Sequence, residues 1–299
     1  MAFLLVAGFV ARKLKIIGEQ ETESIPKIIF AFFYPALTIF TFGEVKSFQI
    51  QGQLGILAIF TGAVTIIIYI ASGVALHRCK HEERKALLHF QASIGNVVYV
   101  LIPIVSVVWG TTAVTYCVVI SSVQDLFIWT LYYAEFSGVK KGIKGLKKLL
   151  SPLTLALLIG LILLIFNIRI TGSIAIMLSV LSSAVSPLAF LFMGSVMAEK
   201  IGMNRLKLSI DSVAMTLFRV TLLPLAVYFA ATGIGLHKGI AVLVALSFAT
   251  PLPVMAVVWS KMFSKDTDFA VGDLIISTVA FCIMYLVLSS LGLLSNIVF

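Results

Sequence analysis

Ten apolar runs, each close to the roughly 20 residues needed to cross a bilayer, follow one another at 1–17, 25–43, 53–76, 86–109, 112–134, 152–168, 172–197, 209–233, 239–260 and 268–297. A chain patterned this way belongs in lipid. Its residues are 60% hydrophobic and only 12% charged, where a soluble domain carries about 25% charged residues. The first run is the shortest, since Arg12 arrives after eleven residues. It does not read as a secretory signal, because Arg12, Lys13 and Lys15 follow the apolar stretch instead of preceding it. The net charge of +9 does not point to nucleic acid, for no basic stripe with interleaved aromatics occurs. Cys79, Cys117 and Cys282 are too scattered for a disulfide framework, and His77 to His81, "HRCKH", has neither helical nor finger spacing for a metal. No metal and no cofactor are expected.

Loop charges test the count of ten. Connections after odd-numbered runs hold Arg12, Lys13, Lys15, Lys27, Arg78, Lys80, Arg84, Lys85, Lys140, Lys141, Lys144, Lys147, Lys148, Lys200, Arg205, Lys207, Lys261 and Lys265. Connections after even-numbered runs hold Lys46, Arg169 and Lys238. Because cytoplasmic loops collect Lys and Arg, the 18 to 3 split predicts a multi-pass protein of the cell membrane with both termini outside. The polar stretch around 136–151 then becomes a basic cytoplasmic loop, whose five lysines meet anionic lipid headgroups or fix orientation.

That loop divides the chain into similar halves, 1–135 and 152–299. "IPIVSVVWG" (Ile102 to Gly110) returns as "LPVMAVVWS" (Leu252 to Ser260), 150 positions later, and Trp109 and Trp259 are two of only three tryptophans. Gly8 and Gly160, and Pro35 and Pro187, stand 152 apart. Five spans per half is an odd number, so the second copy must insert upside down. The predicted fold is therefore an all-α membrane protein of ten transmembrane helices, arranged as two inverted five-helix repeats.

Spans four and nine carry the repeated stretch and are the least regular as helices. Gly95, Asn96 and Pro103 fall in one, and Thr250, Pro251 and Pro253 in the other. Proline removes an amide donor and clashes with the preceding turn, so both spans are expected to break. Freed backbone groups are tolerable in hydrocarbon only beside protein, water or a ligand, and half-helix N-termini pointing inward attract an anion. Two breaks meeting across a pseudo-two-fold axis would make one binding site. Asp125 in span five shares a helical face with Ser122 and Trp129. It reads as a coupling site for a proton or cation, as the structural partner of Arg219 in span eight, or as a lumen-facing bystander. Arg219 could alternatively snorkel toward the cytoplasmic side. Gln91 and Gln124 add polar groups in the neighbouring sequence, whereas Asp211, Asp273 and the four histidines are expected near span ends.

These stretches resemble the auxin efflux carrier family of membrane transporters along essentially the whole chain. The resemblance rests on "GFVARKLKIIGEQETESIPKIIFAFFYPALTIFTF" over the first two spans, "SPLAFLFMGSVMA" from Ser186 to Ala198, "ISTVAF" from Ile276 to Phe281, the Asn96–Pro103 frame and Pro251. The chain departs from the family where small residues are usual, at Val97, Val98 and Leu101, and where a polar residue is frequent, at Met255. The resemblance implies crossing spans four and nine, a core and a scaffold domain, and small organic anions moved by an elevator-like alternating-access motion. It implies that Asn96 donates its amide to a substrate carboxylate or water, and that breaks at Pro103 and Pro251 supply helix-end dipoles. Related carriers suggest a homodimer.

Other classes remain for comparison. An intramembrane hydrolase would need a nucleophile with a mid-membrane histidine, or paired aspartates, and is not expected. A channel can also be lined by broken helices. A sodium- or proton-coupled symporter of organic anions on the same fold is the nearest alternative.

Overall fold

The computed structural model describes residues 2–44, 48–78, 82–138, 152–201, 209–294 and 297. All of their regular structure is helical. The lysine-rich loop from residue 139, Lys46, Lys80, Arg205 and Lys207 lie outside the described residues, as does Cys79 of the "HRCKH" stretch.

Among the described residues, twelve helices follow in order: α1 (Ala2–Lys13), α2 (Glu19–Gly43), α3 (Phe48–Ala75), α4 (Glu82–Ser93), α5 (Val97–Val108), α6 (Gly110–Ser137), α7 (Pro152–Ile165), α8 (Gly172–Ala198), α9 (Ile210–Gly233), α10 (Lys238–Ala249), α11 (Val254–Met262) and α12 (Thr267–Ser290). Among the described residues, seven spans are long and apolar enough to cross a membrane, with α10 and α11 counted as one, and eight if α4 and α5 also form one broken span. With 12 and 14 residues, α1 and α7 are shorter than a full crossing. The chain is thus a multi-pass helical membrane protein.

Pro35 and Pro103 do not interrupt their helices. Each stands just after a widened π turn, Ile29–Phe33 in α2 and Val97–Leu101 in α5. A proline ring collides with the carbonyl four residues back and offers no N–H, and the wider turn relieves both conflicts. Pro103 is therefore not the break expected in span four. The helical path is lost at Ile94–Asn96, seven positions earlier.

The chain forms two compact units. The first comprises 1–54, 98–118 and 143–205. In it α1 lies along the second part of α8, and α7 along the end of α2. A methyl group on Gly8 would overlap the Leu191 backbone, and one on Gly194 would overlap the Leu5 carbonyl. At Gly160 it would strike the Phe42 ring. Phe30 meets Tyr99 edge to face, Tyr99 leans on Phe192, and the Tyr116 hydroxyl donates to Gln53 Oε1 at 3.0 Å.

The second unit comprises 55–97, 119–142 and 206–299. Here α9 packs on α12 and α10, and α4 meets α9 and α11. Trp259 of α11 is 3% exposed and is ringed by Phe90, Trp129, Tyr133 and Phe136, with ring centroids 5.4–5.8 Å away. Such aromatic pairs add to plain area burial. Side-chain caps start three of the helices: Ser209 accepts from the Asp211 amide, His237 from Gly239 and Asp266 from Phe269. Asp266 also pairs with Arg84 at 2.8 Å, which brings the connections after spans three and nine to one end of this unit.

Candidate functional site

The two breaks meet inside the second unit. Between α4 and α5 three residues, Ile94, Gly95 and Asn96, leave the helical path, and between α10 and α11 the residues Thr250, Pro251, Leu252 and Pro253 do so. All seven are buried. Each freed main-chain group here needs a partner, because no solvent is at hand.

The second break meets that demand. Its prolines carry no N–H, so only two donors need partners: Thr250 N–H reaches Leu246 O at 3.0 Å, and Leu252 N–H reaches Ser277 Oγ of α12 at 3.1 Å. The four carbonyls are met as well. Thr250 O accepts from Arg219 Nε at 2.9 Å, Pro251 O from Asn96 N–H at 3.2 Å, Leu252 O from Asn96 Nδ2 at 3.5 Å, and Pro253 O from Ala256 N–H at 2.9 Å. In the first break Gly95 N–H points to Gln124 Oε1 at 3.4 Å, and Ile94 O accepts from Arg219 Nη1 at 2.8 Å. Gly95 has to lack a side chain, since a Cβ would overlap Ser247 O and Thr250 Oγ1.

Arg219 is thus the member that ties the breaks together, and it is 0% exposed. It neither snorkels nor pairs with Asp125; its donors go to Thr250 O, after the end of α10, and Ile94 O, after the end of α4. Helix C-termini carry partial negative charge and orphan carbonyls, so one guanidinium fork meets both. The opposite ends, the N-termini of α5 at Val97 and α11 at Val254, start at the same breaks.

A carboxylate layer adjoins. Asp273, expected near a span end, is instead 1% exposed, and its Oδ1 accepts from Gln91 Nε2 at 2.9 Å and from Ser212 Oγ. Among the described residues of this unit, eight buried side-chain polar atoms keep unused hydrogen-bonding capacity: Thr61 Oγ1, Gln91 Oε1, Ser122 Oγ, Gln124 Nε2, Asp125 Oδ2, Thr216 Oγ1, Arg219 Nη2 and Asp273 Oδ2. Buried polar groups are normally paired, and Gln91, Gln124, Arg219 and Asp273, which are bonded at or next to the two breaks, each leave such an atom open. His89, also expected near a span end, is 6% exposed. No group of three potential metal ligands exists among the described residues.

Of the residues singled out in the sequence, Asn96, Arg219, Thr250 and Pro251 are joined directly at the breaks, Gln124 through Gly95, and Gln91 through Asp273, Ser277 and Leu252, and Pro253 closes the second break. Asp125 belongs to the same unit without a partner on Oδ2, whereas Pro103 falls in the first unit. Sequence reasoning missed Asp273, Ser212 and Ser277. The spacing of Asp273 and Ser277 by four, which puts both on one face of α12, was the available signal.

A helical membrane protein whose buried polar groups gather at paired helix breaks is built as transporters are. The membrane transport protein family matches residues 1–289, and the chain belongs to that family, which includes the auxin efflux carriers. No curated protein matches the chain closely.

Proposed function

We propose that this membrane transporter is a secondary carrier of small organic anions such as carboxylates, working by alternating access with an elevator-like motion. The observation that carries the reading is the joined pair of breaks. Two helices begin at Val97 and Val254 beside donors without partners. Positive helix ends and free N–H groups hold a carboxylate without placing another full cation in hydrocarbon. Asn96, Gln91, Thr250, Pro251 and Pro253 form the walls of that site, Pro103 stiffens the start of α5, and Arg219 with Gln124 fixes the geometry of the breaks.

Two features support a fold of ten spans in two inverted five-helix repeats, 1–135 and 152–299, around the basic loop 136–151, with spans four and nine crossing. The first is reciprocal packing. A pseudo-two-fold axis that pairs span one with span seven must also pair span six with span two, and α1 packs on α8 as α7 packs on α2. The second is position: Gly160 stands 152 after Gly8 and abuts Phe42, while Gly194 stands 152 after Phe42 and abuts Leu5. In this reading the protein lies in the cell membrane with both termini outside, contacts lipid, and pairs as a homodimer.

A second reading is a sodium- or proton-coupled symporter of organic anions on the same fold, favoured by the unpartnered Asp125 Oδ2; a channel is the remote alternative. The test is counterflow of radiolabelled malate, malonate or an aromatic monocarboxylate in proteoliposomes, for the wild type and Asn96→Ala. Saturable exchange that is lost in the variant supports the carrier and its site. Conductance far above carrier turnover, or no exchange of any anion, overturns it.

A further inference from the structure

His89 of α4 sits among acceptors. Its Nδ1 lies 3.0 and 2.9 Å from the two Glu135 carboxylate oxygens, and its Nε2 lies 2.8 Å from the Tyr69 carbonyl oxygen. The Tyr69 carbonyl accepts only, so Nε2 must carry hydrogen. On the other side either Nδ1 carries hydrogen toward an ionised Glu135, or Glu135 itself is protonated toward Nδ1. Both arrangements hold one proton more than a neutral imidazole beside a carboxylate. The ring stacks on Tyr69 at 4.4 Å between centroids and meets Tyr132 edge to face at 5.5 Å. With Glu135 these are the titratable groups around it. Glu135 and Tyr132 come from α6 and Tyr69 from α3, while α12, α9 and α11 meet α4 through Gln91, Ile94 and Phe90, on its other faces. Among the described residues, no further ionisable group bonds to the imidazole.

From these contacts we infer that His89 and Glu135 form a proton-binding site of the carrier, separate from the anion site, and that the proton it holds is carried with the substrate. The inference rests on the carrier reading above, taken in its proton-coupled form. When the proton leaves, the ring can donate to Glu135 or to Tyr69 but not to both, so α4 loses one of its hydrogen bonds, either to α6 or to α3. That same helix runs into the break: Ser93 Oγ donates to His89 O, Tyr132 OH bonds Ser93, and the Ile94 carbonyl is held by Arg219. Glu135, with a quarter of its side chain exposed, is the member through which the proton enters and leaves.

Two measurements test the site, one independent of transport. Nitrogen-15 NMR of histidine-labelled protein at pH 7, with His89 assigned by subtraction of the His89→Gln spectrum, should show an imidazole whose Nε2 is protonated and whose Nδ1 is protonated or hydrogen-bonded to a protonated Glu135. In proteoliposomes loaded at equal anion concentrations, a pH difference of one unit should drive anion accumulation toward about tenfold in the wild type, one proton per anion being worth a factor of ten per unit. His89→Gln and Glu135→Gln should exchange anion at equal pH yet accumulate none. An Nε2 without hydrogen, or gradient-driven accumulation that persists in Glu135→Gln, would overturn the site. A wild type that exchanges no anion would overturn the carrier reading instead, leaving the NMR result to speak for the proton site alone.

Discussion

The Asn96 main-chain N–H donates to the Pro251 carbonyl at 3.2 Å, so the two helix breaks are fastened backbone to backbone. The side chain of Asn96 adds only a long contact of 3.5 Å to Leu252 O. Asn96→Ala keeps the main-chain bond and should lower stability by no more than about 1 kcal/mol, the net worth of one ordinary hydrogen bond. Thermal unfolding in detergent checks this. A small shift would mean that lost exchange in Asn96→Ala reports on the site; a drop of several kcal/mol would remove that interpretation.

Gly95 lies where the first break crosses α10. Its neighbours there are the Ser247 carbonyl and Thr250 Oγ1, and a helix carbonyl cannot swing away as a long side chain can. Gly95→Ala should cost about 3 kcal/mol or prevent folding, at the severe end for overpacking. Yield of monodisperse protein and its unfolding temperature measure the effect, and wild-type values for both would show that the breaks separate more easily than the geometry indicates.

Arg219 separates charge from shape. Arg219→Lys keeps a cation but replaces a planar fork by a point donor, so one of the two bonds to Thr250 O and Ile94 O should be lost, at about 1–3 kcal/mol. Arg219→Met leaves both carbonyls buried without this donor, and about 2–6 kcal/mol is expected, at about 1–3 kcal/mol for each acceptor left unpaired. The order Met worse than Lys worse than wild type in thermal unfolding is the outcome to look for; equal losses would mean that the fork matters and the charge alone does not.

Ser277 supplies the acceptor for the one N–H of the second break outside helix geometry and not removed by proline, that of Leu252. Ser277→Ala leaves this donor buried and unpaired, at about 1–3 kcal/mol. Ser277→Thr, which keeps the hydroxyl, should lose less, and unfolding midpoints of the two variants side by side decide the point.

Much of this was legible in the sequence, and the failures share a cause. Among the described residues, seven of the ten expected spans, or eight with the bent pair, are long and apolar enough to cross, because lipid demands apolar length, and the prolines of span nine marked a true break because Thr250–Pro253 cannot form two of the bonds a helix needs. Pro103 misled because proline excludes only the regular α turn, and a π turn before it restores continuity. The break of span four falls instead at Ile94–Asn96, where Gly95 and Asn96 stood out in the sequence but the proline carried the argument for a break. Asp273 and His89 looked interfacial because each was judged by distance from a span end. Their partners Gln91, Ser212 and Glu135 come from other helices, which linear spacing does not reveal.

Pro251 links this backbone accounting to transport. Its missing N–H is what allows the chain to leave α10 with no donor stranded, and its carbonyl is free to take the Asn96 amide. Pro251→Ala restores an N–H whose helical acceptor would be Ser247 O, which already accepts from Thr250 Oγ1 at 2.5 Å. Extending α10 by a residue would satisfy the new donor, and it would turn the Pro251 carbonyl away from Asn96 and shift the start of α11. The folded protein should survive, within about 1–3 kcal/mol of wild type, but anion exchange should fall on the order of tenfold, since 1.4 kcal/mol of misplacement at the site is enough for that. Counterflow and thermal unfolding on the same preparation separate the two effects: slow exchange by a stable protein supports the break as the seat of binding, and unchanged exchange would place the anion elsewhere in the fold.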